Sequence, residues 1–364
     1  MEELKYELWL MKLSIGNVAK NKLTDCLSSA RAVYEADKSL LMSTNMIDEE
    51  VADRIIEDKK DVDLDSLYEE FLSYDQKLIT RSMSKYPDKL RTISSAPHGL
   101  FYIGHFPDNF DKCVSIVGAR TCSEYGRSVA TELAANLARR GYVIVSGLAL
   151  GIDNAAHQGA LQVDGVSVAV LGCGVENCYP RGNINTYTAL QKKGAIISEL
   201  YPKTKPMSYN FPTRNRIISA LSNQVIIIEA REKSGSLITA DFALEQGKDI
   251  YALPGRITDS LSGGCNRLIE QGAGIITSVS DFINNIEEVR LDTIYTGNDM
   301  DYDNFFKEKE DRIVYECLDF YPKNIEKIVS ESNLELMRVL ASVMNLCEMG
   351  FAGEAFVNQY VKLK

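Results

Sequence analysis

Six short apolar runs recur between residues 113 and 254, and helical patterns separate them. The runs cover 113–118, 143–147, 166–172, 195–200, 225–230 and 250–254. Each is nearly continuous and rich in β-branched residues, as a strand covered on both faces must be. Helical periodicity fills the intervals, for example at 125–140 and 237–246. This alternation predicts an α/β fold with a doubly wound parallel sheet. Right-handed crossovers then place helices on both faces.

The flanks read differently. Apolar positions Leu27, Ala30, Val33 and Tyr34 recur at helical spacing, and the stretch Leu13 to Gly16 reads as a turn between helices. Pro87, Pro97 and Pro107 predict irregular structure over 76–110 leading into the sheet. Residues 289–303 read as an acidic linker. Beyond it, Leu336, Val339, Leu340, Val343 and Leu346 share one helix face, and a Gly-Phe-Ala-Gly turn leads to a strand-like 355–361. That order predicts a winged helix. The expected domains are therefore a helical 1–80, an α/β 81–288, a linker 289–303 and a winged-helix-like 304–364.

The net charge of −11 is unevenly spread. Residues 112–285 carry 17 Lys and Arg against 14 Asp and Glu, whereas the segments on either side each stand at −7. A positive middle in an acidic chain bears on partners rather than on fold. The eight cysteines form no Cys-x-x-Cys pair, and the three histidines lack metal-ligand spacing, so neither a metal nor a cofactor is expected. No apolar run approaches the ~20 residues of a membrane helix. No secretory pattern opens the chain, which predicts a cytoplasmic protein without a membrane partner.

In an open parallel sheet, ligands bind beyond the carboxyl ends of the strands. The residues there include Gly118, Arg120, Ser146, Gly147, Gly172 and Gly174. Glycines let a ligand approach the backbone, although they also serve as plain turn residues. Phe211 to Ile218 place Arg214 and Arg216 around Asn215, just after an aromatic ring. Arginine forks fit phosphates and a phenylalanine face can stack on any base. Equally, Phe211 could anchor a loop while the arginines pair with Glu229 or Glu199. Lys233, Ser234, Gly235, Ser236 and Thr239 follow a strand and open a helix, which suits either an ordinary cap or a phosphate. Lys203 and Lys205, in a loop stiffened by two prolines, are either solubilising or further phosphate contacts. No Walker loop is present, so no ATPase activity is expected.

Taken in order, these residues closely resemble the DprA/Smf family of DNA-processing proteins over about 110–280. The likeness rests on Gly118-Ala119-Arg120 with Ser123 and Tyr125-Gly126, on Ser146 to Asp153 with Ala155-Ala156-His157, and on Ala169 to Gly174 with Tyr179-Pro180 and Asn183. Ser198-Glu199, Phe211 to Ile218, Glu229-Ala230, Ser234 to Ala240, Pro254-Gly255 and Gly264 to Ala273 continue it. Glu176 and Lys248 depart from the family's commoner Asp and Arg. The resemblance implies an extended Rossmann-like domain that binds and protects single-stranded DNA and loads a RecA-type recombinase in natural transformation. It also implies a homodimer, and no catalysis. The N-terminus resembles the family's sterile-alpha-motif or helix-hairpin-helix region, and the C-terminus its winged helix. The acidic balance there argues against tight duplex binding.

Two enzymes compete with this reading. A nucleotide-cleaving phosphoribohydrolase-like enzyme would share the fold and could use Asp153, Glu199 or Glu229 as acids, but its Gly-Gly-x-Gly-Thr run is missing. A dinucleotide oxidoreductase needs Gly-x-Gly-x-x-Gly after its first strand, where this chain has Gly-Ala-Arg-Thr-Cys-Ser. A purely scaffolding role is the third alternative.

Overall fold

The computed structural model describes residues 2–286, 309–319, 322–356 and 358–362. They fall into two units, Met1–Ile283 and Asn284–Lys364. The acidic linker expected at 289–303 lies outside the described residues.

The first unit is built on a nine-stranded sheet. Its strands are β1 (Lys77–Thr80), β2 (Gly99–Gly104), β3 (Cys113–Gly118), β4 (Val143–Ser146), β5 (Ser167–Val170), β6 (Ala195–Ser198), β7 (Gln224–Ile228), β8 (Asp249–Ala252) and β9 (Gly274–Ile275). They lie in the order β1-β2-β6-β5-β4-β3-β7-β8-β9. All neighbouring pairs from β6 to β9 are parallel, while β2 runs antiparallel to β1 and β6. The six expected strands are β3 to β8, and the fold is Rossmann-like. The Pro-containing stretch, expected to be irregular, supplies β1 and β2.

Consecutive residues of the central strands face opposite sides, and both sides are buried. In β6, Ile196 enters one core with Leu8, Trp9 and Leu23, whereas Ile197 enters another with Ile217, Leu221 and Ala240. The first core is shared with the N-terminal helices, six in number from Glu2–Lys12 to Leu64–Leu72. The expected 1–80 domain therefore has no separate core, and its last four residues are the edge strand β1. Polar contacts add to this join. Glu7 meets the His98 ring at 2.9 Å and Asn17 donates to Glu199 at 2.8 Å.

The strand order reverses direction between β3 and β7. β3 is followed by helix Glu124–Arg139, whose cap Ser123 accepts from Gly126 N at 3.0 Å. β7 is followed by helix Gly235–Glu245, capped by Ser234. A crevice opens at such a switch point in doubly wound sheets.

The second unit holds helices Lys309–Cys317, Ile325–Ser332 and Leu336–Glu348 and an antiparallel sheet of β10 (Lys323–Asn324), β12 (Gln359–Lys362) and β11 (Ala352–Phe356). Val314, Ile328, Val339, Val343 and Leu346 form its core. This is the element order of a winged helix. Among the described residues, no helix is long and apolar enough to cross a membrane.

Candidate nucleic-acid interface

A cleft of about 520 Å³ lies at the β3/β7 switch point, lined by the turns that leave both strands and by helix Asn210–Leu221. The turn after β3 must run close to β7. A side chain at Gly118 would put its first carbon 1.8 Å from the Ile228 carbonyl oxygen, so only glycine fits. Ala119 N then donates to Glu229 O at 2.8 Å. Arg120 follows, exposed, with its guanidinium 5.8 Å from the centre of the Phe211 ring. The opposite wall is Arg231, Lys233 and the start of helix Gly235–Glu245, where Ser234, Gly235, Ser236 and Thr239 line the space. Arg120, Arg231 and Lys233 are exposed and form no ion pair with any described residue.

Helix Asn210–Leu221 sorts its residues by face. Phe211, Arg214, Asn215 and Ile218 line the cleft. Phe211 rests on the backbone of Gly172, where a side-chain carbon would come within 2.6 Å of the ring. Asn215 donates to Gly235 O at 3.3 Å and ties the two cleft helices together.

Arg214 reaches the cleft from below. It is 6% exposed and donates to the carbonyls of Gly147, at 2.9 Å, and Val170. Burial lowers its pKa to about 10, against the opposing pull of Asp153. Asp153 accepts from Gly147 N at 3.1 Å and Ala149 N at 3.4 Å, and burial pushes its carboxyl up, opposed by Arg214 and these amides. The two opposite charges feel each other beneath the rim without a direct hydrogen bond between them, and each braces a rim turn through its own backbone partners. Arg214 spends Nη1 on these two carbonyls and Nε on the Asn215 side chain, so the arginine expected as a wholly free phosphate fork is largely a buried structural cation at the cleft floor.

The other expected residues separate cleanly. Arg216 turns away and pairs with Glu199. Lys203 pairs with Glu70 at 2.8 Å and lies 4.6 Å over the Tyr74 ring, so the residue expected at the cleft is held by the N-terminal helices instead. Lys205 is exposed and lies outside the cleft lining. Ser146 is fully buried and donates to Ile116 O at 2.6 Å. Gly147 serves Arg214 through its carbonyl, and Gly174 packs against Pro202. Glu229 is committed as well, accepting from Ser123 N at 2.8 Å and from the Ser123 hydroxyl. Sequence reasoning missed Arg231. Its position in the turn that leaves β7, three residues past Ile228, was the signal for it.

The comparisons with known proteins bear on this geometry. A family model for DNA recombination-mediator protein A matches residues 77–287, which begin at the first residue of β1. The chain belongs to this family. Among curated relatives, DNA processing protein DprA of Bacillus subtilis is 41% identical over 208 residues, 57% of this chain and 70% of the relative. Protein Smf of Escherichia coli is 42% identical over 211 residues, 58% and 56% of the two chains. The solved DprA of Streptococcus pneumoniae is similar at TM-score 0.67 and 34% identity, covering 77% of this chain and 97% of that one. DNA processing protein A of Helicobacter pylori, described for its single-stranded DNA binding mode, is similar at TM-score 0.54 and 31% identity over 59% of this chain and 97% of its own. The family's matched segment thus contains the whole cleft.

Proposed function

We propose that the protein binds single-stranded DNA through its phosphate backbone in the switch-point cleft. In this reading it shields incoming strands and passes them to a RecA-type recombinase during natural transformation, acting as a homodimer. The observation that carries the reading is the charge of the cleft walls. Arg120, Arg231 and Lys233 stand free around it, the amino end of a helix opens into it, and Asp153 is the one carboxylate among its described lining residues. Cations without ion-pair partners and exposed helix N–H groups suit phosphate oxygens. Phe211 adds a ring for base stacking without sequence preference. Family membership and the named binding mode of the Helicobacter pylori relative point the same way.

The nucleotide-cleaving alternative needs an acid free to act. Asp153, Glu199 and Glu229 each hold a loop, a helix or an arginine in place, so none is favoured for that role. The test is fluorescence anisotropy with single and double strands of equal length across a salt series. Preferential single-strand binding, weakening with salt by a slope of about 0.7 per neutralised phosphate, supports the reading. Equal affinity for the duplex, or no salt dependence, overturns it. Mixing with the recombinase on strands already coated by a single-strand-binding protein tests the loading step, and sedimentation tests the dimer.

A further inference from the structure

The aromatic surface at the cleft continues past its edge. Tyr179 lies against Phe211 with ring centres 5.4 Å apart and planes at 31°, yet it remains 43% exposed. Two residues on, Arg181 is exposed and forms no ion pair with any described residue. The same segment is fixed to the rim. Asn183 Nδ2 donates to the carbonyls of Leu148 and Ala149 at 2.9 and 3.0 Å, and Ala149 lines the cleft. Leu150 and Ile184 on the two stapled segments are 46% and 49% exposed.

These three apolar side chains sit on segments stapled to the cleft rim, and exposed apolar patches beside a cleft mark binding surfaces. The chemistry of this patch is an aromatic face with a lone cation close by in sequence, adjoining a cleft walled by cations. That combination fits the repeat of a polynucleotide, one base and one phosphate at a time.

We propose that Tyr179 and Arg181 form a second nucleotide subsite, which receives the base and phosphate of the strand where it leaves the Phe211 position. The inference rests on the cleft reading above and deepens it. The cleft supplies the anchoring charge. The Tyr179 ring extends the stacking platform by one step, and Arg181 neutralises one further phosphate. The subsite ignores sequence, because every base offers a flat face.

Strand length separates the two parts of the site. Anisotropy with oligothymidylates of increasing length is measured for the full chain and for Tyr179→Ala, Tyr179→Phe and Arg181→Ala. Tyr179→Ala is expected to weaken binding about fivefold, equivalent to the ~1 kcal/mol lower end of base stacking, only for strands long enough to pass Phe211. Tyr179→Phe should keep wild-type affinity. Arg181→Ala should lower the salt slope by about 0.7 for the longer strands alone. Tyr179→Trp supplies a readout independent of affinity. The chain's single tryptophan, Trp9, is fully buried, so quenching by long but not short strands reports on the new ring.

The failures are distinguishable. If the wild-type chain does not bind single strands, the cleft reading falls and takes the subsite with it. If binding depends on Arg120 but Tyr179→Ala costs less than twofold at every length and Tyr179→Trp is not quenched, the subsite alone is overturned, and the patch is left to a protein partner.

Discussion

Arg216 and Glu199 form a bidentate ion pair, Nη1 to Oε1 at 2.8 Å and Nη2 to Oε2 at 2.6 Å, with side chains only 5% and 9% exposed. Asn17 of the second helix donates to the same carboxylate. The pair therefore joins the N-terminal helices to the helix that carries the cleft residues. Removing one member leaves a buried charge unpaired, so Glu199→Gln should cost about 3–5 kcal/mol of unfolding free energy. Urea unfolding followed by both Trp9 emission and helical circular dichroism checks this. In the wild-type chain the Trp9 transition should also coincide with the main helical one, because Trp9 lies in the shared core, while the three helices of the second unit rest on a core of their own. A separate, earlier Trp9 transition would show that the helices unfold independently of the sheet.

Acid should weaken the fold through His157. Its ring is fully buried and its Nδ1 lies 2.7 Å from the Ser167 hydroxyl. Burial, helped by the Arg214 charge, pulls its pKa from 6.5 down to about 3. The unfolded chain takes up a proton near pH 6.5, while the folded chain resists until about pH 3. Stability contributed by the neutral ring is thus lost progressively as the pH falls through that window. At pH 5 the loss from this residue is about 2 kcal/mol. Comparing urea midpoints at pH 7 and pH 5 for wild type and His157→Gln isolates it, since the variant should show the smaller drop.

The parallel core of the sheet was legible because β3 to β8 are buried on both faces and spell this out as continuous β-branched runs. β1 and β2 were hidden in a Pro-containing stretch, where β1 pairs only with β2 and the antiparallel pairing of β2 with β6 depends on residues nearly 100 positions away. The burial of Arg214 was not anticipated although its clue was present. It shares a helix face with Ile217, Ile218 and Leu221, at the i, i+3, i+4, i+7 spacing of a buried stripe. Lys203 could not be placed from sequence, because its partner Glu70 is 133 residues distant. Arg120 and the start of helix Gly235–Glu245 were legible for a simpler reason. Both follow directly from strand ends, whose position in this topology is fixed.

Gly172→Ala tests the Phe211 platform without touching the ring itself. The new methyl would come 2.6 Å from Phe211 Cδ1 and force the ring to move. The fold should lose about 1–3 kcal/mol from overpacking. Single-strand affinity should fall by an amount within the ~1–3 kcal/mol of one base stack. Anisotropy on protein shown to be folded decides it, and unchanged affinity would mean that bases do not use this ring.

Arg120 and Arg214 are both arginines of one cleft, and replacing them should have opposite signatures. Arg120 is exposed and carries no structural hydrogen bond to any described residue, so Arg120→Ala should change unfolding free energy by no more than about 0.5 kcal/mol. Its effect belongs in binding, as weaker affinity for every sequence and a salt slope shallower by about 0.7. Arg214→Met removes a buried cation and two donors to rim carbonyls, and it strands Asp153 in a buried site. Leaving two buried carbonyls unsatisfied at about 1–3 kcal/mol each, with the charge opposite Asp153 gone, should cost about 2–6 kcal/mol of stability. Adding Asp153→Asn removes the stranded charge, so the double variant should recover part of the loss, and the non-additivity measures the coupling between the two. If Arg214→Met instead left stability intact and only flattened the salt slope, Arg214 would be a phosphate ligand and the buried brace would have no energetic role.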